Sequence, residues 1–556
     1  MKHSIYSIII IPVLFFFPFT SQSQILEWGI QKHFGTYDAS AAVETDNLGN
    51  SYIGGHSYDI GYVASYDSEG NIRWETTLNG TSDTRQVLNI HLDQAGNVYA
   101  TGTFVKDITI GGHTINSTNP TTNWRDVFLI KLDNNGNFLW GFALGGSEGN
   151  HGHDITTDQT GNVYITGSFL ESVDFDPGPG NFVLTSQGQE DIFISSYDPD
   201  GNFRWARHAG SYGFDFGTGI DIDQNDNLYI SGGVTGIGDF DPQDSLTIVN
   251  GYDWNAFLIS YTNNGQIRWF RTLGGKEDDF AREVTVDGNN DIYLTGSFQG
   301  QAKFNPADTT YKITAIEKSD IYLAKYDDAG DFKWVISVGG SGYDRGYGLD
   351  TDASGNVFIT GTYQHSVDFD PGSGTHIVSN NNGNISISSY FASYDALGQF
   401  RWAYGFDQQS SGADISVNQW NSVFVTGDFT KTIDIDPSSA VTSMTSIQSY
   451  DAYLIKYKDS PVSSTAMEDR LDNSHAFYLY NDPTDNTLVL HRKNTAGFNR
   501  PVIVRLFSLN GSLILSTKVQ IGEGYELYSQ SLSPGVYFVE LNEENGRMGR
   551  LRFVKR

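Results

Sequence analysis

Four short acidic corners are the first places where this chain could do chemistry. They are Asp174-Phe175-Asp176-Pro177, Asp239-Phe240-Asp241-Pro242, Asp368-Phe369-Asp370-Pro371 and Asp434-Ile435-Asp436-Pro437. In an extended run the two Asp of each project to one side and the Phe or Ile to the other. Paired carboxylates on one face suit Ca2+, a hard ion that takes oxygen ligands. Ca2+ wants about six or more of them and two Asp supply few, so a turn with its aromatic residue pinned beneath is the stronger reading. The related Lys303-Phe304-Asn305-Pro306 has no acid pair, and Asp107-Ile108-Thr109-Ile110 only approximates the motif.

A second candidate is His151-Gly152-His153-Asp154, whose two imidazoles and carboxylate could ligate a metal or move protons. The corresponding positions of a later segment hold Arg345-Gly346-Tyr347-Gly348. Such variation suits a ligand surface, and solvated loop histidines are the plainer reading. Asp198-Pro199-Asp200-Gly201-Asn202 looks like half of a Ca2+ loop, yet it lacks the distal Glu and reads as a turn. No Ser/His/Asp set has a recognisable local context, and no Gly-rich phosphate loop leads from a strand into a helix. The expectation is a protein without catalysis and without a certain cofactor.

The elements that must position these residues repeat. The phrase Gly161-Asn162-Val163-Tyr164-Ile165-Thr166-Gly167 has relatives ending at Gly55, Gly102, Gly232, Gly296, Gly361 and Gly427, with steps of 47, 65, 65, 64, 65 and 66 residues. A second phrase, Tyr197-Asp198 to Trp205, recurs at Trp74, Trp140, Trp269, Trp334 and Trp402. Each unit therefore holds four strand-like runs: A (154–158), B (163–169), C (191–197) and D (203–208). Asp-x-x-Gly-Asn turns join A to B and C to D, with Gly supplying positive φ and Asp bonding its own backbone. The last unit stops at Tyr457-Lys458-Asp459 without a D run, whereas Leu26-Glu27-Trp28-Gly29 near the N-terminus matches one. A strand from one end of the chain completing the blade at the other is the closure of a ring. The fold class expected is all-β: a seven-bladed β-propeller over 24–458, then a linker (459–475) and a small β-sandwich-like domain (476–556). The B–C and D–A connections share the loop-rich face, which is where a ligand is expected. Trp124 and Trp254 approach C runs on that side.

Composition sets outer limits. A net charge of −32 over 556 residues repels phosphate backbones and argues against nucleic acid as a partner. With no Cys there are no disulfides and no thiolate metal site. Lys2 and His3, the apolar run from Ile5 to Phe19 and the small polar residues after it read as a signal peptide over 1–23. No other apolar run is long enough to span a bilayer, so no transmembrane segment is expected in the mature chain.

The Gly-Asn-x-Tyr-x-Thr-Gly and Asp-Phe-Asp-Pro phrases resemble the β-propeller repeats of secreted bacterial proteins, the SBBP-type repeats, across residues 25–458. From 461 onward the acidic excess disappears. Tyr480-Asn481-Asp482-Pro483, Val504-Arg505-Leu506-Phe507-Ser508-Leu509-Asn510-Gly511, Leu532-Ser533-Pro534-Gly535-Val536-Tyr537 and the final Phe553-Val554-Lys555-Arg556 together resemble a type A C-terminal sorting domain of type IX secretion. Asn481-Asp482-Pro483 departs from that family's usual Pro-Asn-Pro. The resemblance implies passage by the type IX secretion machinery to the outside, with release or attachment at the cell surface. The function expected is binding of an extracellular glycan or protein. The alternative is an extracellular polysaccharide-active enzyme using the loop-rich face, with carboxylates and His151 or His153 in the central mouth.

Overall fold

The computed structural model describes residues 23–460, except 59, 83, 241–246, 250–252, 309, 381–386, 407 and 439, and the strands between 477 and 555. The signal-peptide reading lies outside the described residues, as do Asp241 and the side chain of Asp239.

Seven antiparallel sheets carry the repeat, one per blade with four blade strands each, and the sheets of blades 3 and 5 are extended to six strands by a short hairpin from the next blade's B–C insertion. Blade 3 is typical: A Asn150–Thr157, B Val163–Phe169, C Asp191–Tyr197 and D Phe203–Ser211. The A strands of the seven blades are Asp38–Thr45, Arg85–Leu92, Asn150–Thr157, Asp215–Ile222, Phe280–Val286, Arg345–Thr351 and Ser410–Val417. Each packs on the next, and the seventh packs on the first, so the ring is closed. Blade 7 is finished by the N-terminal strand Ser23–Lys32, which lies beside Asp451–Ser460. The sheet therefore takes Trp28 from the far end of the chain, as the repeat predicts.

Strand type follows from burial. The B and C strands are covered on both faces by neighbouring blades, and they read as nearly unbroken buried runs such as Asp-Ile-Phe-Ile-Ser-Ser-Tyr. The turns work as their residues require. Asp158 Oδ1 accepts the Thr160 and Asn162 amides at 2.9 Å each, and Gly161 sits at φ 83°.

The D-strand tryptophan joins blades. Trp205 Nε1 donates to Asn263 O in the C–D turn of blade 4 at 2.9 Å, and Trp74, Trp140, Trp269 and Trp334 reach the same turn of their own next blade. Trp28 closes the ring by donating to Ser68 O of blade 1 at 3.1 Å. Blade 7 has no C–D turn, and there Trp402 donates instead to the Asp459 carboxylate at 2.9 Å. The Gly of each turn lies under the indole of the preceding blade, where a Cβ would come within 2.5 to 3.2 Å of the ring.

Contacts divide the chain into the unit Gln24–Asp459 and a second unit that holds the residues from Ser460 onward. The second has a three-stranded sheet (Phe477–Asp482, Thr487–Arg492, Tyr525–Leu527) and a four-stranded one (Leu513–Val519, Val502–Ser508, Gly535–Glu543, Gly546–Lys555).

Candidate functional site in the axial channel

The innermost strands surround the ring axis, and their inward side chains decide its chemistry. Counting back from the Asp or Asn that opens each A–B turn, the position two residues earlier lines a cavity of about 370 Å³ in every blade, and the position four residues earlier joins it in blades 2, 3, 5 and 7. The cavity reaches the turn residues Asp287-Gly288 and Asp352-Ala353, so it lies toward the tight-turn face. In blades 3, 5 and 7 the acid stands four residues back, as Asp154, Glu283 and Asp414. In blades 1, 4 and 6 it stands two residues back, as Glu44, Asp221 and Asp350. Blade 2 breaks the alternation with Asn89 and His91, since seven is odd. The blades with low acids keep Ala42, Gly219 or Gly348 at the high position. A Cβ on Gly219 would come 2.7 Å from Glu283 Oε1, and one on Gly348 would come 2.6 Å from the Asp414 Cα. Small residues make room for the acid of the next blade.

These carboxylates also tie the blades together. The inner edge of each A strand leaves amides without a sheet partner, and the acids accept from them. Asp154 Oδ1 accepts from Ile155 N at 2.7 Å, and its Oδ2 accepts from Ile220 N of blade 4 at 2.5 Å. Asp221 reaches Val286 N of blade 5 at 2.8 Å, Asp350 reaches Val417 N of blade 7 at 2.7 Å, and Asp414 reaches Val43 N of blade 1 at 2.8 Å. Asn89 donates to Asp154 Oδ1, and His91 Nδ1 lies 3.2 Å from Glu44 Oε1.

Confining acids beside one another out of water favours their neutral forms. Burial pushes Asp154 up to about 8, Asp414 to about 7 and Asp221 to about 6, against the amide bonds that favour charge. Glu283 and Asp350 are raised well above the carboxylate range for the same reason. Burial pulls His91 down, but the carboxylates of Glu44, Asp221 and Asp154 together outweigh it and the net shift is upward. Thr156, buried at the low tier of blade 3, also lines the cavity, and its Oγ1 has no hydrogen-bond partner. The arrangement can hold protons or a cationic group.

The other end of the same strands carries different chemistry. Every A strand has a bulge one residue before the high tier. The bulged side chains reach the next blade: His153 Nδ1 lies 2.7 Å from Gly217 O, Thr218 Oγ1 donates to Ala281 O at 3.0 Å, and Arg282 stands 5.8 Å from the Tyr347 ring. Trp254 stacks on Phe216 at 5.0 Å and meets Phe280 at 5.1 Å. Trp124 is half exposed.

His151, His153, Arg345 and Tyr347 therefore lie within A strands, not in D–A loops as the spacing predicts. The strands begin early because their first residues are anchored to the preceding blade, with Asn150 N donating to Arg125 O at 2.8 Å and Asp344 N to Ser319 O at 2.9 Å. The structure brings His151 and His153 to 6.0 Å between rings. Burial, then His153 and Arg125, pull His151 down to about 4, so it is neutral at physiological pH.

The Asp-x-Asp-Pro corners sit at the outer margin. Asp174 Oδ1 accepts from Asp176 N at 3.1 Å and Phe182 N at 2.8 Å, and Asp176 Oδ1 accepts from Gly178 N at 2.8 Å. Asp368 with Asp370, and Asp434 with Asp436, repeat these bonds. Phe175 is buried between Phe169 and Phe193, and Tyr197 donates to its carbonyl at 3.0 Å.

Residues 478–555 match the family model described as a secretion system C-terminal sorting domain. The chain is an exported protein. The sorting domain directs it through type IX secretion, to the extracellular space or the cell surface. No helix among the described residues is long and apolar enough to cross a membrane. Over 264 residues, 40% of this chain, it is 27% identical to an uncharacterized WD repeat-containing protein of Acanthamoeba polyphaga mimivirus, of which the match covers 19%. Over 222 residues, 38% of this chain, it is 25% identical to the regulatory protein FlaEY of Caulobacter vibrioides, covering 23% of it. The matches thus span about a fifth of each relative. A crystal structure of a protein from Lactobacillus plantarum aligns with 89% of this chain and 98% of its own at a TM-score of 0.28 and 11% identity.

Proposed function

We propose that the exported chain is a non-enzymatic binding protein, and that its axial cavity takes a cationic side chain of an extracellular protein. The observation that carries this reading is the pair of staggered acid tiers, Asp154, Glu283 and Asp414 above Glu44, Asp221 and Asp350, around a cavity with an unpartnered Thr156 hydroxyl. An ammonium or guanidinium entering there would replace protons that buried acids otherwise hold. Both oxygens of Asp154 and Asp221 accept backbone amides, which supports a fixed acceptor ring over a catalytic pair. Titrating the full chain with a tri-lysine peptide at about pH 7.5 tests it, with proton release on binding as the expected signature. Absence of binding, or binding untouched in Asp414→Asn, would overturn the reading.

A second reading rests on the opposite mouth, where Trp254, Phe216 and Phe280 form an aromatic platform of the kind sugar rings stack on. A glycan array separates it from the first. The enzymatic alternative would use Asp154, pushed up to about 8, as proton donor and Asp221 as the ionised partner. Polysaccharide hydrolysis lost in Asp154→Asn would establish that alternative. Ca2+ at the Asp-x-Asp-Pro corners is a lesser proposal, supported by the pairing of their carboxylates and tested by calorimetry. Fractionation of cells and medium distinguishes surface attachment from release.

A further inference from the structure

Where the ring closes, the repeat is broken twice in the same place. At three junctions between blades, a buried acid of the C strand is followed by a second buried acid at the head of the next A strand: Asp191 with Asp215, Asp320 with Asp344, and Asp451 with Asp38. The second acid ordinarily has both oxygens occupied. Asp215 Oδ2 accepts from Ser211 N and its Oδ1 from Thr235 N at 3.0 Å, and Asp344 Oδ1 accepts likewise from Gln364 N at 2.9 Å. The amide used by Oδ1 lies 20 residues on, at the start of the B–C insertion. Blade 1 lacks that insertion, and Asp38 Oδ1 is buried without a partner.

The second break is on the D strand. Five residues after the blade tryptophan stand Gly145, Gly210, Gly274 and Gly339, and a Cβ at any of them would strike the carboxylate of a junction acid. At the closing junction that position holds His33. Its Nδ1 lies 2.9 Å from Asp451 Oδ1 and 3.3 Å from Asp38 Oδ2. The side chains of Asp38 and Asp451 are both fully buried, whereas His33 is about a quarter exposed at 23%.

We propose that His33, Asp38 and Asp451 hold a divalent transition cation of the Zn2+ class. One imidazole and two carboxylates are the ligand types such an ion takes, and a tetrahedral site with bonds of about 2.0–2.1 Å sets ligand atoms about 3.3 Å apart. The three groups place ligand atoms within 4.8 Å of one another, so a small movement assembles three ligands, with a fourth from water. Two buried carboxylates beside one imidazole carry more negative charge than a single proton offsets, and a dication neutralises both. The surroundings hold the ligands in place. Gln31 Nε2 donates to Asp451 Oδ2 and also to Thr445 O at 2.8 Å, Ile447 N donates to Asp451 Oδ2 at 2.9 Å, and Phe34 N donates to Asp38 Oδ2 at 3.0 Å. His33 ligates as the neutral imidazole through Nδ1. The ligands come from the N-terminal segment, blade 1 and blade 7, so the ion staples the ring at its seam.

The test is titration of the chelator-treated full chain with Zn2+ by calorimetry, and with Co2+ by visible absorption. One saturable equivalent is expected, with a melting temperature raised by a few degrees. His33→Ala, which leaves the loop-capping acids in place, should weaken binding at least tenfold while the sheet signal is retained. Asp38→Asn should do the same. His208→Ala, at the regular blade 3 junction beside Asp191, should leave binding unchanged. Less than one equivalent of Zn2+, or equal affinity in His33→Ala, or an equal loss in His208→Ala, each overturns the proposal.

Discussion

The outer D strands and the inner A strands belong to the same repeat and behave in opposite ways. The D strand is nearly the same in six of the seven blades: an indole donates to the next blade's turn and a turn glycine lies beneath it. The A strand is uniform only where it faces the sheet. Toward the axis its positions differ blade by blade, between Asp154, Gly219, Glu283 and Gly348 at one level alone. Uniformity marks what each ordinary junction of the ring needs. Variation arranged in an alternating order around the axis marks a feature that belongs to the whole ring.

The largest effect should come from the outer set. Removing residues 24–34 strips blade 7 of its last strand and exposes an edge. Its melting temperature should fall by about 20 °C or the chain should fail to fold, against a few degrees for an equal cut in a surface loop. Equal melting temperatures for the two deletions would break the ring model. Trp205→Ala should come next, at about 3–5 kcal/mol in denaturant unfolding, because it removes both the packing and the bond to Asn263.

The inner set should then respond more weakly. Gly348→Ala forces a Cβ toward Asp414 and should cost about 1–3 kcal/mol without loss of the propeller sheet signal. A change within error would mean that the tiers are not tightly interlocked.

Stability against pH separates the two regions without mutation. Asp154 at about 8, Asp414, Asp215, Asp279, Asp344 and Asp428 at about 7, and Asp221 at about 6 all stand above their unfolded value of 3.8, chiefly through burial. A raised acid contributes stability at low pH that is lost as pH rises through its folded value. The melting temperature should therefore fall by several degrees from about pH 6 to about pH 8.5. His151, lowered to about 4 by burial, acts oppositely, and its contribution is lost as pH falls from 6.5 toward 4. A flat profile from pH 6 to 8.5 would mean that these acids do not hold protons in the folded state. The smallest stability effect is expected for Thr156→Val, within about 1 kcal/mol since the hydroxyl makes no bond, yet tri-lysine affinity should fall.

Much of this was legible in the chain itself. The Asx turns, the Trp-bearing strands and the N-terminal strand that completes blade 7 follow from local spacing, because turn chemistry acts over four or five residues and recurs. The reading that placed His151 and Arg345 in loops missed the anchoring of strand starts to the preceding blade, which no single repeat displays. The acid tiers leave one trace, their fixed offset from each turn Asp, visible once the seven A strands are aligned on those turns.

The unit and its number are written in the chain: strand length, turn type and the count of seven are local or periodic properties. Which charges meet is settled by the closed ring. Asp154 bonds Ile220 across 66 residues, and His33 meets Asp451 across 418. Those encounters depend on ring closure, which brings together side chains whose separation in sequence carries no record of their distance in space.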